Sequence, residues 1–447
     1  MLTLKSQTSS QHHLLSRLVD ARQQTDDLFD LVRPDSFYER PIPERHRIIF
    51  YLGHLEAFDW NLLNGQTLQL QHSSPELDRL FAFGIDPIGS GLPSDQPADW
   101  PSSAEVFKYR ERIRQALDSG FEVASFSDTK ANGRPHPEDA RLLLNVAIEH
   151  RLMHAETLSY MLHHLPFDHK YHQPTSITTN GFSTEKEMVE IPAGTTTLGV
   201  NRGDSDIFGW DNEYDANSVI VPAFEIEQHK VTNGEYLRFK VSGGYEDRSL
   251  WSEISWDWVT KNKISHPAFW IQRGDSWYQR RMFEETLLPL DWPVYVSYAE
   301  ASAYARWAGK ILPTEAQWHR AAYGTPEGTE IQFPSGDETI DPGQESLSHK
   351  GWDPCPVNSF PKNQSAFGVA GLLGNGWEWT SSVFAPFPGF QPFPFYPGYS
   401  ADFFDGQHFV LKGGSVRTAA CLLRRSFRNW FQPHYQYIYA GFRCVSN

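Results

Sequence analysis

The tryptophan residues divide this chain into two parts that must fold in different ways. Of the 15 tryptophans only Trp60 and Trp100 precede residue 166. A chain of 447 residues is long enough for two or three domains. Large aromatic side chains bury much apolar area, so the second part can form a core with few regular elements. The first part must depend on helices, and we therefore expect two domains of different class.

The residues before 166 show the apolar spacing of long amphipathic helices. This spacing covers four segments, at residues 10–32, 43–63, 103–118 and 137–164. We place the start of the second helix at Pro43, because proline is favoured in the first turn of a helix. Four such helices predict a four-helix bundle over residues 1–165.

The residues after 166 differ from these in composition and in apolar spacing. Residues 166–184 are polar and without helical or strand period, which predicts a linker. Beyond it, glycine, proline and aromatic residues are frequent, and short strand-like runs such as 218–226 alternate with turns. Helical patterns cover 297–309 and 314–323. We expect an α+β domain rich in loops over residues 185–447.

Charge and hydropathy exclude several classes of protein. The formal net charge of −16 would repel a phosphate backbone, so nucleic acids and anionic membranes are poor partners. The N-terminus lacks the pattern of a signal peptide, and no apolar run approaches the roughly 18 residues of a membrane span. The three cysteines form no C-x-x-C pair, which disfavours a disulfide scaffold. We expect a cytoplasmic protein.

Two histidines on the last predicted helix are candidates for metal ligands. His150 and His154 are four residues apart, so both side chains lie on one face. That face also carries Leu143, Ala147 and Leu158, which places the imidazoles in the core. Two buried imidazoles are costly unless each has a partner, and a shared metal ion would serve both. The alternative is that each is an ordinary core histidine with a hydrogen bond.

A third ligand has to come from another helix, and His54 is the best candidate. It lies among Phe50, Tyr51 and Phe58, and the neighbouring Gly53 would allow a close approach. Three neutral imidazoles suit zinc, iron, copper or nickel and leave coordination positions open. Zinc would indicate a hydrolase or a thiol transferase, and iron(II) an enzyme that activates O2.

Several segments resemble a known family. In the second part these are HKVTNGEYLRF at 229–239, PVYVSYAEASAYARWAGKILPTEAQWHRAA at 293–322, LLGNGWEWTSS at 372–382, VLKGGSVRTAACLLRRSFRN at 410–429 and AGFRC at 440–444. Together they resemble the formylglycine-generating-enzyme fold, a variant of the C-type lectin fold. A DinB-like helical domain with His-x3-His-x-Glu before this fold is similar to the ergothioneine-biosynthetic sulfoxide synthase family EgtB, which includes selenoneine synthase relatives. The resemblance covers nearly the whole chain.

This resemblance implies roles for particular residues. His54, His150 and His154 would form an iron(II) site. Asn429 and Trp430 would hold the trimethylammonium group of hercynine, a group that an aromatic face recognises well. The alternative for Trp430 is ordinary packing, and for Asn429 a place in a turn or cap.

The family also uses an active-site tyrosine as proton donor, from the loop after the Trp-Glu-Trp segment. Tyr396 and Tyr399 both lie in that loop, and we prefer Tyr396. The alternative is that this aromatic loop packs on itself. Arg428, next to Asn429, could bind a substrate carboxylate in bidentate fashion, as could Arg417, Arg424 and Arg425. The alternative interpretation is that these arginines have a structural role.

Two departures from the best-known type of the family bear on the substrates. Phe431 begins a stretch, FQPHY, in which that type has an Asp and an Arg that bind gamma-glutamylcysteine. The donor would then be cysteine, another thiol or a selenosugar. Met153 stands where that type has a Gln that contacts the imidazole, so hercynine would be held differently. Formylglycine generation itself is disfavoured, because it needs a cysteine pair and the arginine-rich segment offers only Cys421.

The resemblance thus predicts an iron- and O2-dependent enzyme that joins sulfur or selenium to C2 of the hercynine imidazole. Its partners would be hercynine, a thiol or selenol donor and O2. Three alternatives stay open: a selenoneine synthase that uses a selenosugar, a zinc-dependent thiol S-transferase, and a binding module without catalysis.

Overall fold

The computed structural model contains two compact units, Met1–Gln173 and Pro174–Asn447. It describes residues 2–68, 70–71, 74–82, 92–123, 137–174, 187–202, 208–336, 351–361 and 363–446. Among these, no helix combines the length and the apolar character that crossing a membrane requires. Part of the predicted linker belongs to the first unit, because Lys170 is buried and pairs with Val32.

The first unit is helical, as the sequence predicts. In its described residues it has five α-helices: α1 Leu2–Phe29, α2 Ile48–Asp59, α3 Pro75–Leu80, α4 Ser103–Val123 and α5 Pro137–His164. Helix α2 continues directly into a π-helix at Trp60–Leu68. Helix α1 packs on α5, and α2 contacts both α4 and α5.

The predicted start of the second helix at Pro43 is wrong. Arg47 has extended backbone angles (φ −65°, ψ 156°), and the helix begins at Ile48. The N–H of Ile48 donates to the carbonyl oxygen of Glu39 at 3.1 Å, so a turn between these residues replaces the first helical turns. Proline is compatible with such a turn as well as with a helix start.

Helix α2 is buried on nearly every side. Ile48, Ile49 and Leu52 have no exposed surface, and Leu55 is 1% exposed. Each such side chain stabilises the fold by about 1.5–3 kcal/mol through the removal of apolar surface from water. Since α2 is almost entirely buried, its polar residues must find their partners inside the protein.

The second unit is mixed α and β, again as predicted. Its described helices are α6 Asn233–Val241, α7 Glu253–Asn262, α8 Tyr298–Trp307 and α9 Glu315–Tyr323. Its described strands are β1 Met188–Ile191, β2 Gly194–Leu198, β3 Asn217–Val221, β4 Phe224–Glu227, β5 Trp270–Arg273, β6 Ser276–Arg280, β7 Glu285–Leu287, β8 Gly376–Val383, β9 Phe409–Gly414, β10 Asn429–Phe431, β11 Ala440–Gly441 and β12 Val445–Ser446.

These strands form four small sheets, with the orders β1-β4-β12, β10-β9-β8-β11, β2-β3 and β5-β6-β7. The run 218–226 is two strands rather than one, because Pro222 separates β3 from β4 and the two join different sheets. Three of the helices begin with capping boxes, at Thr232, Ser297 and Thr314.

A buried carboxylate organises the core around β8. Glu378 has no exposed surface and accepts hydrogen bonds from Arg443 (2.6 and 2.9 Å) and from Trp318 (3.0 Å). The ammonium of Lys230 lies 3.0 Å from the same carboxylate. Burial alone would raise the pKa of Glu378, but the two cations outweigh it and lower that pKa. The Trp-Glu-Trp segment is therefore a structural element of this unit.

Candidate functional site

The helical unit brings three buried histidines together. His54 on α2 and His150 and His154 on α5 are each no more than 5% exposed. One ligand nitrogen from each lies within 4.8 Å of the others. No second group of three or more His, Cys, Asp or Glu side chains in the described part of the chain comes together in this way. The three residues predicted from spacing and resemblance thus meet in space.

Hydrogen bonding selects the tautomer of His54. Its Nδ1 lies 2.8 Å from the carbonyl oxygen of Phe81, so Nδ1 carries the proton and Nε2 keeps its lone pair. Gly53 makes this contact possible, because a Cβ there would lie 2.5 Å from the Phe81 ring. Gly53, where we expected a close approach, therefore lies against the ring of Phe81, the residue that follows α3.

All three imidazoles are neutral near pH 7. Burial lowers the pKa of His54 to about 4, although the bond to Phe81 opposes the shift. The pKa of His150 lies well below its ordinary value. Burial is the largest cause, and repulsion from the neighbouring His154 and His54 rings, when protonated, is the next. The pKa of His154 is lowered in the same way. Neutral imidazole is the form that binds a metal ion.

The geometry fits a metal ion. Nε2 of His150 and Nε2 of His154 lie 3.2 Å apart. Two nitrogens that each lie about 2.1 Å from one ion are about 3.0–3.4 Å apart at octahedral and tetrahedral angles. Phe58 stacks on His150 at 3.4 Å between ring centroids, and Phe50 stacks on His54 at 4.9 Å. Ring packing therefore holds His54 and His150 in place, and the bond to Phe81 also orients His54.

An aromatic cluster surrounds Trp430 in the second unit. Trp430 lies on β10, opposite Val410 of β9, and its ring stacks on Phe384 at 4.1 Å between centroids. Tyr399 meets the same ring edge to face at 5.4 Å, and Phe403 lies at 5.7 Å. Trp430 keeps part of its surface exposed. The ring of Trp430 thus packs within the cluster and still offers an accessible aromatic surface.

The neighbours of Trp430 are also partly exposed. Asn429 accepts a hydrogen bond from the backbone N–H of Trp430 at 2.9 Å through its own side-chain oxygen. Phe431 stacks face to face on Tyr435 at 5.2 Å.

Met153 lies in the first unit, half-buried on α5 between His150 and His154 in the chain. Its backbone carbonyl accepts a bond from the Thr157 hydroxyl at 3.2 Å.

Arg428 is engaged inside the fold. It is 3% exposed and forms a bidentate ion pair with Glu315 of α9, at 2.9 and 3.1 Å. Its remaining nitrogen donates to the carbonyl oxygen of Ala385 at 3.0 Å. The guanidinium lies 5.0 Å from the centre of the Phe384 ring, which in turn stacks on Trp430. These contacts are those of the structural role that we weighed against substrate binding.

The other arginines of this segment also have partners within the fold. Arg424 pairs with Glu213, Arg425 lies 3.4 Å from Glu330, and Arg417 lies over the ring of Trp352.

The two candidate tyrosines lie in different surroundings. Tyr399 is 8% exposed and stacks on Trp210 at 3.9 Å. Tyr396 is half-buried, 5.5 Å from the Tyr399 ring. Tyr399 therefore has the packing role that we considered for this loop, while Tyr396 is the more accessible of the two.

Comparison with known proteins supports the two-unit architecture. The Sulfatase-modifying factor enzyme 1-like domain family matches residues 173–447, and the DinB superfamily matches residues 17–158. The chain is 32% identical to the hercynine oxygenase of Mycolicibacterium thermoresistibile, over 97% of this chain and 94% of the relative. It is 38% identical to the hercynine oxygenase of Mycolicibacterium smegmatis, over 88% and 89%. It is 30% identical to Ergothioneine biosynthesis protein 1 of Neurospora crassa, over 92% of this chain and 55% of that protein.

The architecture and these relatives define an enzyme of the oxygenase class, with a DinB-type helical domain followed by a sulfatase-modifying-factor-type domain. Within that class the chain belongs to the hercynine oxygenase family, the ergothioneine-biosynthetic sulfoxide synthases known as EgtB. The resemblance seen in the sequence motifs is confirmed.

Sequence reasoning missed four groups around the histidines. The Phe81 carbonyl is a backbone atom and carries no signature in the sequence. The buried carboxylates Glu56 and Asp59 gave one usable signal, because acidic residues in so apolar a helix need a cationic partner. That partner, Arg151, stands directly after His150 in the chain.

Proposed function

We propose that this chain is an iron(II)- and O2-dependent synthase that joins a thiol or selenol donor to C2 of the hercynine imidazole. The observation that carries the proposal is the buried cluster of His54, His150 and His154 in a member of the hercynine oxygenase family. Neutral imidazoles with converging Nε2 atoms suit iron(II), and three of them leave positions open for small molecules. We further propose that residues 1–165 and 185–447 act as the two functional domains, and that the enzyme is cytoplasmic.

With a thiol donor the reaction balances as follows. The C2–H bond of hercynine and the S–H bond of the donor break, and a C–S and an S–O bond form. The two substrates lose four electrons, which reduce O2. One oxygen atom stays on sulfur and the other leaves as water with the two released protons.

His54, His150 and His154 would hold the iron, which would supply activation of O2 and a lowered pKa of the donor thiol. The chain's own residues would do the remaining work. Phe50 and Phe58 pack on the rings of His54 and His150 and would keep them oriented toward the ion. Trp430 and Asn429 would bind the trimethylammonium group of hercynine, and Met153 is a further candidate for substrate binding. Tyr396 would donate a proton, for which Tyr399 is the second candidate.

The segment after Trp430 bears on the identity of the donor. Phe431 stacks on Tyr435, and His434 stacks on Trp258 at 4.9 Å. Burial lowers the pKa of His434, which keeps this ring neutral. The stretch 431–435 therefore offers no charged side chain to the carboxylates and ammonium of gamma-glutamylcysteine. We propose that the donor is cysteine, another thiol or a selenosugar, whose ring could lie against aromatic faces.

The test is O2 uptake with product mass analysis on the iron(II)-loaded full chain. Hercynine is paired in turn with cysteine, gamma-glutamylcysteine and a selenosugar. A hercynyl sulfoxide identifies an ergothioneine-type synthase, and a selenium adduct formed only with the selenosugar identifies a selenoneine synthase. A zinc-containing protein without O2 uptake for any pair would contradict the proposal and favour a thiol S-transferase.

Replacing Trp430 by leucine tests the hercynine site. We expect KM for hercynine to rise by about 30-fold, because a desolvated cation–π contact contributes about 2 kcal/mol. Steady-state kinetics checks this, with W430F expected to retain most of the affinity. The control is W307L, since Trp307 is 38% exposed on α8. An unchanged KM in folded W430L would contradict the role of Trp430.

A further inference from the structure

Arg151 is a fully buried arginine directly beside a histidine of the cluster. It stands on α5 after His150 and has no exposed side-chain surface. A guanidinium cannot lose its charge at any ordinary pH, so its burial must be compensated by anionic and polar partners. The partners of this cation therefore show which parts of the unit Arg151 connects.

Three of these partners belong to α2, the helix that carries His54. Arg151 donates to Asp59 at 2.6 Å, to Glu56 at 3.1 Å and to the carbonyl oxygen of Leu55 at 3.0 Å. These acceptors lie one, two and five residues after His54 in the chain. The guanidinium thus links α5, one residue after His150, to the stretch of α2 that follows His54.

One of these carboxylates, that of Glu56, is also connected to other helices. Glu56 also accepts hydrogen bonds from Arg114 of α4, at 2.7 and 3.1 Å. Arg114 in turn pairs with Asp26 of α1 at 2.6 and 2.9 Å. Both carboxylates of α2 are nearly without exposed surface. The link between α2 and α5 is therefore anchored to the other long helices of this unit.

Apolar packing alone does not determine the register of α2 so sharply. Contacts between apolar side chains are nearly non-directional, and apolar side chains make up most of the surface of α2. A slide of one turn would move His54 by about 5.4 Å and take it away from His150 and His154. The planar guanidinium binds in a rigid fork geometry, which such a slide would break.

We infer that Arg151 is a positioning residue of the three-histidine centre. It holds α2 at the register on α5 at which His54 meets His150 and His154, so that the centre is assembled before a metal ion binds. The inference rests on the metal-binding part of the proposed function.

The test measures metal affinity and stability separately in the full chain. In R151M we expect the dissociation constant for cobalt(II) and anaerobic iron(II) to rise by about 10–100-fold, the loss typical when a group that orients metal ligands is removed. The visible absorption bands of bound cobalt(II) should also change, because they report ligand geometry. The conservative R151K keeps the charge but not the fork, and should give an intermediate affinity.

The matched control is R281M. Arg281 is 1% exposed and pairs with Asp353 at 3.1 Å and Glu284 at 2.6 Å, in the second unit. We expect R281M to lower the melting temperature without a change in Kd or in the cobalt spectrum. This separates a positioning role from a purely structural one, which would lower stability alone.

Each outcome is decisive. If R151M is folded and keeps the wild-type Kd and cobalt spectrum, the inference is wrong while the metal centre stands. If R151M does not fold, the Kd and the cobalt spectrum of R151K are compared with those of the wild type instead, and wild-type values would again contradict the inference. If the wild-type chain binds neither cobalt(II) nor iron(II), the centre itself fails, and the proposed function fails with it.

Discussion

His150→Ala is expected to leave the protein without bound iron and without O2-dependent turnover. The substitution removes one of three ligands and leaves two imidazoles that cannot hold the ion in the same geometry. Loss of a group that merely orients a ligand costs about 10–100-fold in affinity, so loss of the ligand itself should cost more. Metal analysis after dialysis and O2 uptake with hercynine and a donor measure the two effects.

The control for this variant is His164→Ala on the same helix. His164 is half-buried and lies about 21 Å along the helix axis from His150. We expect H164A to retain metal and activity. A binding module without catalysis would behave differently, because H150A would then keep its affinity for the ligand. Wild-type turnover in a metal-free H150A would contradict the proposed role of the cluster.

Tyr396→Phe is expected to lower the yield of the C–S product by about 10²–10⁴-fold, the contribution typical of a positioned general acid. The reduction of O2 consumes protons, and a phenyl ring has none to give. The donor thiol should then be oxidised without being joined to hercynine. Product mass analysis beside O2 uptake separates the two outcomes, because O2 is still consumed when the donor alone is oxidised.

Two further tyrosine variants sharpen this experiment. Tyr278→Phe, at a half-buried position of β6, is the control and should behave as wild type. Tyr399→Phe tests the second candidate, whose ring stacks on Trp210. Loss of product in Y399F and not in Y396F would transfer the role to Tyr399. Full activity in both would contradict a tyrosine donor from this loop.

The histidines could be predicted from the sequence because helical spacing is a local property. His150 and His154 are four residues apart on an apolar face, and that arrangement alone suggests a shared metal ion. The arrival of His54 beside them depends on the register between α2 and α5. That register involves Arg151 and Asp59, which are 92 residues apart, and no local pattern reports such a pair.

The tyrosines show the opposite case. The loop 384–399 has no period, because phenylalanine, proline and tyrosine follow one another irregularly. Which ring becomes buried depends on Trp210, which lies far earlier in the chain and stacks on Tyr399. The division of the run 218–226 was available in the sequence, since Pro222 cannot donate a hydrogen bond to a central strand.

The two helices that supply the histidines also give the metal a thermodynamic effect. Any ion that binds the folded cluster and not the unfolded chain shifts the unfolding equilibrium by mass action, by about 2.7 kcal/mol at a free concentration of 100 times Kd. The ion then acts as a reversible cross-link between α2 and α5. Metal supply would therefore change the free energy of unfolding of this unit as well as the fraction of enzyme that is active.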